Sequence, residues 1–82
     1  MERISITVKI AALGRSFDFF VPNNMSIRDS IDLIIKILNS EYGLLNQKGN
    51  VMLFDKNEKE SLPMECSFTQ LGISDGTELL LI

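Results

Sequence analysis

The sequence predicts an α+β domain, a mixed sheet of four or five strands with one helix packed across one face. Three observations predict it. Residues 4–10 alternate apolar and polar side chains, the period-two signature of a half-buried strand. Residues 27–40 repeat apolar side chains at helical spacing. Residues 78–82 read as a closing strand, and an amphipathic helix beside several short strands must bury its stripe against their sheet. The 82 residues read as a single domain, 1–82, and a hydrophobic fraction of 45% suffices for a core.

In the first strand Ile4, Ile6, Val8 and Ile10 share one face, while Ser5, Thr7 and Lys9 share the other. The stretch AALGRS follows, with Gly14 supplying the turn. Residues 17–21, FDFFV, form the second strand, with Phe17, Phe19 and Val21 inward and Phe20 outward. The two make a hairpin with a loop longer than two residues.

PNNMS breaks the pattern. Ser26 is placed to cap a helix, and Asp29 follows three residues later in the manner of a capping box. Ile27, Ile31, Ile34, Ile35 and Leu38 line one helical stripe, and Arg28, Asp29, Asp32, Lys36 and Asn39 face water. Leu33 and Ile37 sit on its flank, either widening the core face or forming a minor exposed strip.

EYGLLNQKGN is a connector with Gly43 and Gly49. VMLF is a third strand, with Val51 and Leu53 on one face and Met52 and Phe54 on the other. DKNEKE is a charged turn, and Leu62 falls in a short edge strand before Pro63. TQLGI suggests a single helical turn ending on a left-handed Gly72, SDGT turns the chain, and ELLLI is the last strand. The core expected from this reading is Ile4, Ile6, Val8, Phe17, Phe19, Ile27, Ile31, Ile34, Leu38, Leu53, Leu79 and Leu81.

Composition narrows the function. The net charge is −3 and the eight basic residues are scattered, so no basic stripe exists for a phosphate backbone or an anionic membrane. Cys66 is the only cysteine, which rules out an intrachain disulfide and suits a reducing compartment. The alternating N-terminus does not read as a signal peptide and no apolar run spans a bilayer, so the expectation is a cytoplasmic protein. With no histidine, neither Cys66 nor any serine has an imidazole base, so no catalysis is expected. The DKNEKE carboxylates lack the glycine and spaced glutamate of a calcium loop. No cofactor and no metal are expected.

The order of strand, Gly turn, strand, Pro22, capped helix, strand, charged turn, FTQLGISDGTELLL resembles ubiquitin over nearly the whole chain. It is more similar still to the small stand-alone YukD/EsaB proteins of Gram-positive type VII (ESX-like) secretion loci, which share the length and the G-I-x-x-G-x-x-L-x-L ending. The resemblance implies a β-grasp with first and last strands parallel at the centre of the sheet. It also implies a protein partner, a membrane-anchored ATPase or other membrane component of the secretion machine. Covalent modifiers and sulfur carriers need a flexible Gly-Gly tail; Leu79, Leu80, Leu81 and Ile82 stand there instead, so conjugation is not expected. A covalent modifier or sulfur carrier is the alternative.

In a β-grasp the third and last strands are neighbours. With Leu79 and Leu81 inward, Leu80 and Ile82 face outward beside Met52, and Leu13 at the hairpin turn joins their edge. The resemblance places this group, Leu13, Met52, Leu80 and Ile82, where ubiquitin carries its hydrophobic recognition patch, and it is the candidate partner-binding surface.

Overall fold

The computed structural model describes residues 2–43 and 51–82, and the Tyr42 backbone without its side chain. The elements are β1 (Arg3–Ile10), β2 (Arg15–Pro22), α1 (Ile27–Tyr42), β3 (Leu53–Asp55) and β4 (Thr77–Leu81). They form a four-stranded sheet in the order β2-β1-β4-β3. β1 and β4 are parallel at the centre, and the two outer pairs are antiparallel. Of the expected connector, Glu41 and Tyr42 instead end α1 and Gly43 caps it, while residues 44–50 lie outside the described residues.

Strict alternation in β1 drives one face inward: Ile6 and Val8 are fully buried, Ile4 and Ile10 nearly so. Across β1 they meet Val21, Phe19 and Phe17 on one side and Leu79 and Leu81 on the other. The helix lays Ile27, Ile31, Ile34 and Leu38 on that face, in one hydrophobic cluster with the strands. Leu33 and Ile37 are half-buried against the same cluster, so the flank widens the core. No helix among the described residues is long and apolar enough to cross a membrane.

Both ends of α1 are closed by local chemistry. Ser26 sits in extended backbone, and its Oγ accepts from the Asp29 amide at 3.1 Å. Buried Ser30 donates its hydroxyl to Ser26 O at 2.8 Å, which satisfies a polar group inside the core. At the other end Gly43 takes φ 61°, and its amide returns to Asn39 O at 2.9 Å. A side chain there would meet the left-handed penalty that glycine escapes. Ser26→Ala removes the side-chain acceptor that caps the helix start, and the expected cost is about 1 kcal/mol. A shifted urea midpoint at constant slope checks it; an unshifted midpoint would show the cap to be idle.

Three details differ from the sequence reading. Phe17 is half-buried rather than core. It lies at the hairpin end of the outer strand β2, with the Arg15 guanidinium 5.1 Å from its ring centre and Phe19 beside it at 6.4 Å. Phe68, absent from the expected core, is fully buried. It sits in an irregular segment with no periodicity, held by Thr69 N to Asn23 O at 3.0 Å and Ile73 N to Phe68 O at 3.0 Å. The turn there ends on Gly72 at φ 69°, as the LGI pattern suggests. Finally, Leu62 is in no strand: residues 61–62 meet β3 through a single bridge, Phe54 to Ser61, so of the four or five strands expected the described residues form four.

Candidate interaction surface

β4 places the surface. Leu79 and Leu81 point into the core at 2% and 3% exposure, so Leu80 between them points to the side without the helix. On that side Leu80 stands between Lys9 of β1 and Phe54 of β3. The β3–β4 ladder runs one step beyond the named strands: Met52 N donates to Ile82 O at 2.8 Å and Ile82 N returns to Met52 O at 3.0 Å. Two cross-strand pairs, Met52 with Ile82 and Phe54 with Leu80, therefore lie side by side on one face. Met52 and Ile82 are 42% and 57% exposed, and Phe54 and Leu80 are half-buried.

Phe54 is the residue that the sequence reading left out of this group. The parity of VMLF already put it beside Met52; only the register shows that it pairs with Leu80. Leu13 goes the other way, packing half-buried against the core. Its neighbours Ala11 and Ala12 are the exposed turn residues. With Ile35, Val51 and Ile82 they line an apolar hollow of about 360 Å³ at the end of the sheet. Ile82 also lines a second depression, of about 330 Å³, with Phe54 and Leu80. The apolar surface thus runs from the sheet face around its end to the hairpin turn. Phe20 is 70% exposed on the same face, but β1 and its polar Ser5, Thr7 and Lys9 separate it from the cluster.

Charge sits at the rim. Lys56 Nζ donates to Glu78 Oε2 at 2.8 Å beside the second depression. That hydrogen bond and the carboxylate charge hold the Lys56 pKa above the ordinary lysine value. On the far side, Arg28 Nε donates to Glu65 Oε1 at 2.9 Å and joins the helix start to the 62–66 segment. Cys66 is half-buried, and its carbonyl accepts from the Ile27 amide at 2.8 Å. Among the described residues no three His, Cys, Asp or Glu side chains gather as metal ligands do. What the arrangement offers is an apolar surface with a polar rim, the make-up of a protein-binding patch.

No family model and no curated protein matches the sequence. Solved structures do match. The ubiquitin-like domain of the Mycobacterium tuberculosis type VII secretion system protein ECCD1 superposes with a TM-score of 0.74 at 20% identity, over 100% of this chain and 99% of that one. The EccD5 ubiquitin-like domain from Mycobacterium xenopi superposes with a TM-score of 0.80 at 20% identity, over 100% of this chain and 94% of that one. A chain of a toluene 4-monooxygenase complex reaches a TM-score of 0.83 at only 9% identity, over 98% of this chain and 96% of that one. At these identities the likeness shows the fold: this is a ubiquitin-like β-grasp.

Proposed function

We propose that this chain is a non-covalent binding module. It would serve as an accessory or regulatory component of a bacterial type VII secretion system, of the YukD/EsaB kind. It docks a protein of that machine, an ATPase or other membrane component, through the face built on Met52, Phe54, Leu80 and Ile82. The observation that carries the reading is the pairing of two apolar cross-strand couples on the side of the sheet away from the helix, where the core makes no use of them. Placement in a secretion system is favoured by the sequence resemblance and by end-to-end superposition on the ECCD1 and EccD5 domains. A membrane partner is favoured by a further match, at a TM-score of 0.81 and 19% identity, to 21% of a chain in an ESX-5 inner membrane complex. Binding is favoured over catalysis because the chain has no histidine to act as a base. The proposed setting is the cytoplasmic side of the membrane.

A photo-crosslinking residue at Ile82, in the full chain within its native cells, tests this. The expected result is a crosslink to a membrane or ATPase protein of the secretion machine, absent when the same residue replaces Asp32 on the exposed side of the helix. Products identical at both positions would remove the face from consideration. Intact-mass detection of conjugates or of a terminal thiocarboxylate would favour the covalent modifier or sulfur carrier instead.

A further inference from the structure

The two edges of the sheet are not alike. On β3 the outer side is met by the chain itself, with Leu62 N donating to Leu53 O at 2.7 Å and Ser61 bridging to Phe54. On β2 nothing among the described residues covers the outer side. The pairing of β2 with β1 is regular over eight residues and has no bulge to twist the edge away.

The register identifies the open groups. Asn23 N donates to Glu2 O at 2.8 Å, one step beyond the Arg3–Pro22 pair. Hydrogen-bonded and non-hydrogen-bonded pairs alternate along an antiparallel ladder. Ile4–Val21, Ile6–Phe19 and Val8–Phe17 are therefore the bonded pairs. Ser5 agrees with this, because its amide donates to Asp75 Oδ1 at 2.8 Å and its carbonyl accepts from Gly76 N at 2.8 Å, both away from β2. It follows that Ser16, Asp18 and Phe20 turn their N–H and C=O groups to the outer edge. Pro22, next in that series, has no N–H to offer. The side chains of the same three residues are exposed on the helix-free face, Phe20 at 70%. The Asp18 carboxylate accepts from Thr7 Oγ1 at 2.7 Å, and no cation pairs with it among the described residues.

We propose that the outer edge of β2 is a strand-addition site for an extended peptide segment of a partner protein, with a Lys or Arg opposite Asp18 and an apolar residue opposite Phe20. A row of alternating donors and acceptors is completed by another extended backbone. The two side chains then set specificity, since cross-strand neighbours on one face favour opposite charges and apolar pairs. A second copy of this chain is a poor occupant. The antiparallel register that engages Ser16, Asp18 and Phe20 together sets Asp18 opposite its own counterpart, and like charges there repel. The site lies at the opposite edge of the sheet from Met52 and Phe54, so it does not depend on that face being an interface.

The test uses the full 15N-labelled chain and an acetylated, amidated probe peptide, Thr-Val-Ile-Val-Lys-Val-Thr, whose antiparallel addition sets Lys opposite Asp18 and Ile opposite Phe20. In the free protein the Ser16, Asp18 and Phe20 amides should exchange faster than those of Phe17, Phe19 and Val21. Saturating peptide should slow those three by at least about tenfold. N-methylation of the peptide's Lys and Ile amides should abolish the effect. Glu in place of Lys should weaken binding, and Asp18→Lys, folded by circular dichroism, should invert that preference; Asp18→Asn should remove it. The proposal is overturned if the three amides are unaffected at millimolar peptide, or if the N-methylated peptide protects them equally. It is also overturned if they are protected without peptide in a concentration-dependent dimer, which would give the edge to a second copy.

Discussion

Leu79→Ala should lower the unfolding free energy by about 2–5 kcal/mol. Leu79 is 2% exposed at the middle of β4, in register with fully buried Val8 on one side and with Asp55 on the other. Truncation removes three carbons from a close-packed interior, and the two central strands that line the gap are held by their own ladder and cannot collapse into it. A domain of this size has a total stability on the order of 5 kcal/mol. The loss is therefore a large share of the whole, and the melting temperature should fall by roughly 10 °C or more. Leu80→Ala is the control within the same strand. Leu80 keeps part of its surface in water, so its truncation should cost clearly less than that of Leu79. Thermal melts of the two variants decide which face of β4 is inward; equal shifts would contradict the assignment.

The elements that carry a period were legible in the sequence. β1 alternates without a fault, α1 repeats its stripe and begins on Ser26, and β4 follows the same parity as β1, because each must turn one face to a single core. Phe68 was not legible, since its burial comes from hydrogen bonds that fold an irregular segment back over residues 23 and 27, and no period records such contacts. The inward packing of Leu13 was not legible for a similar reason. A tight turn has no fixed parity, and in this one the alanines face out while the leucine packs inward. Phe54 lay between these cases. Four apolar residues in a row, VMLF, give a parity but no partner, and only the pairing of Phe54 with Leu80 makes it a member of the outward cluster. The open edge of β2 was hidden as well, because strand order and hydrogen-bond phase are properties of the assembled sheet.

Met52→Asp combined with Leu80→Asp should leave the protein folded and reduce partner recovery by about 30-fold or more, equivalent to about 2 kcal/mol, the cost typical of losing a central binding residue. Apolar surface buried in an interface contributes about 25 cal/mol per Å² before the costs of association. Two carboxylates there reverse the sign of that contribution, because a partner would have to strip their water without supplying a charge. The fold should tolerate them. Met52 is 42% exposed, and position 80 lies in register with Lys9, which gives a new carboxylate a cation on the neighbouring strand. The expected stability change is about 1 kcal/mol, well short of unfolding. Circular dichroism and a thermal melt establish the folded state, and capture of the partner from native membranes by the full chain reads the interaction. Undiminished capture by the folded double variant would show that the cluster is not the interface. It would turn attention to Phe20 and the β2 edge, the other exposed surface on this face of the sheet.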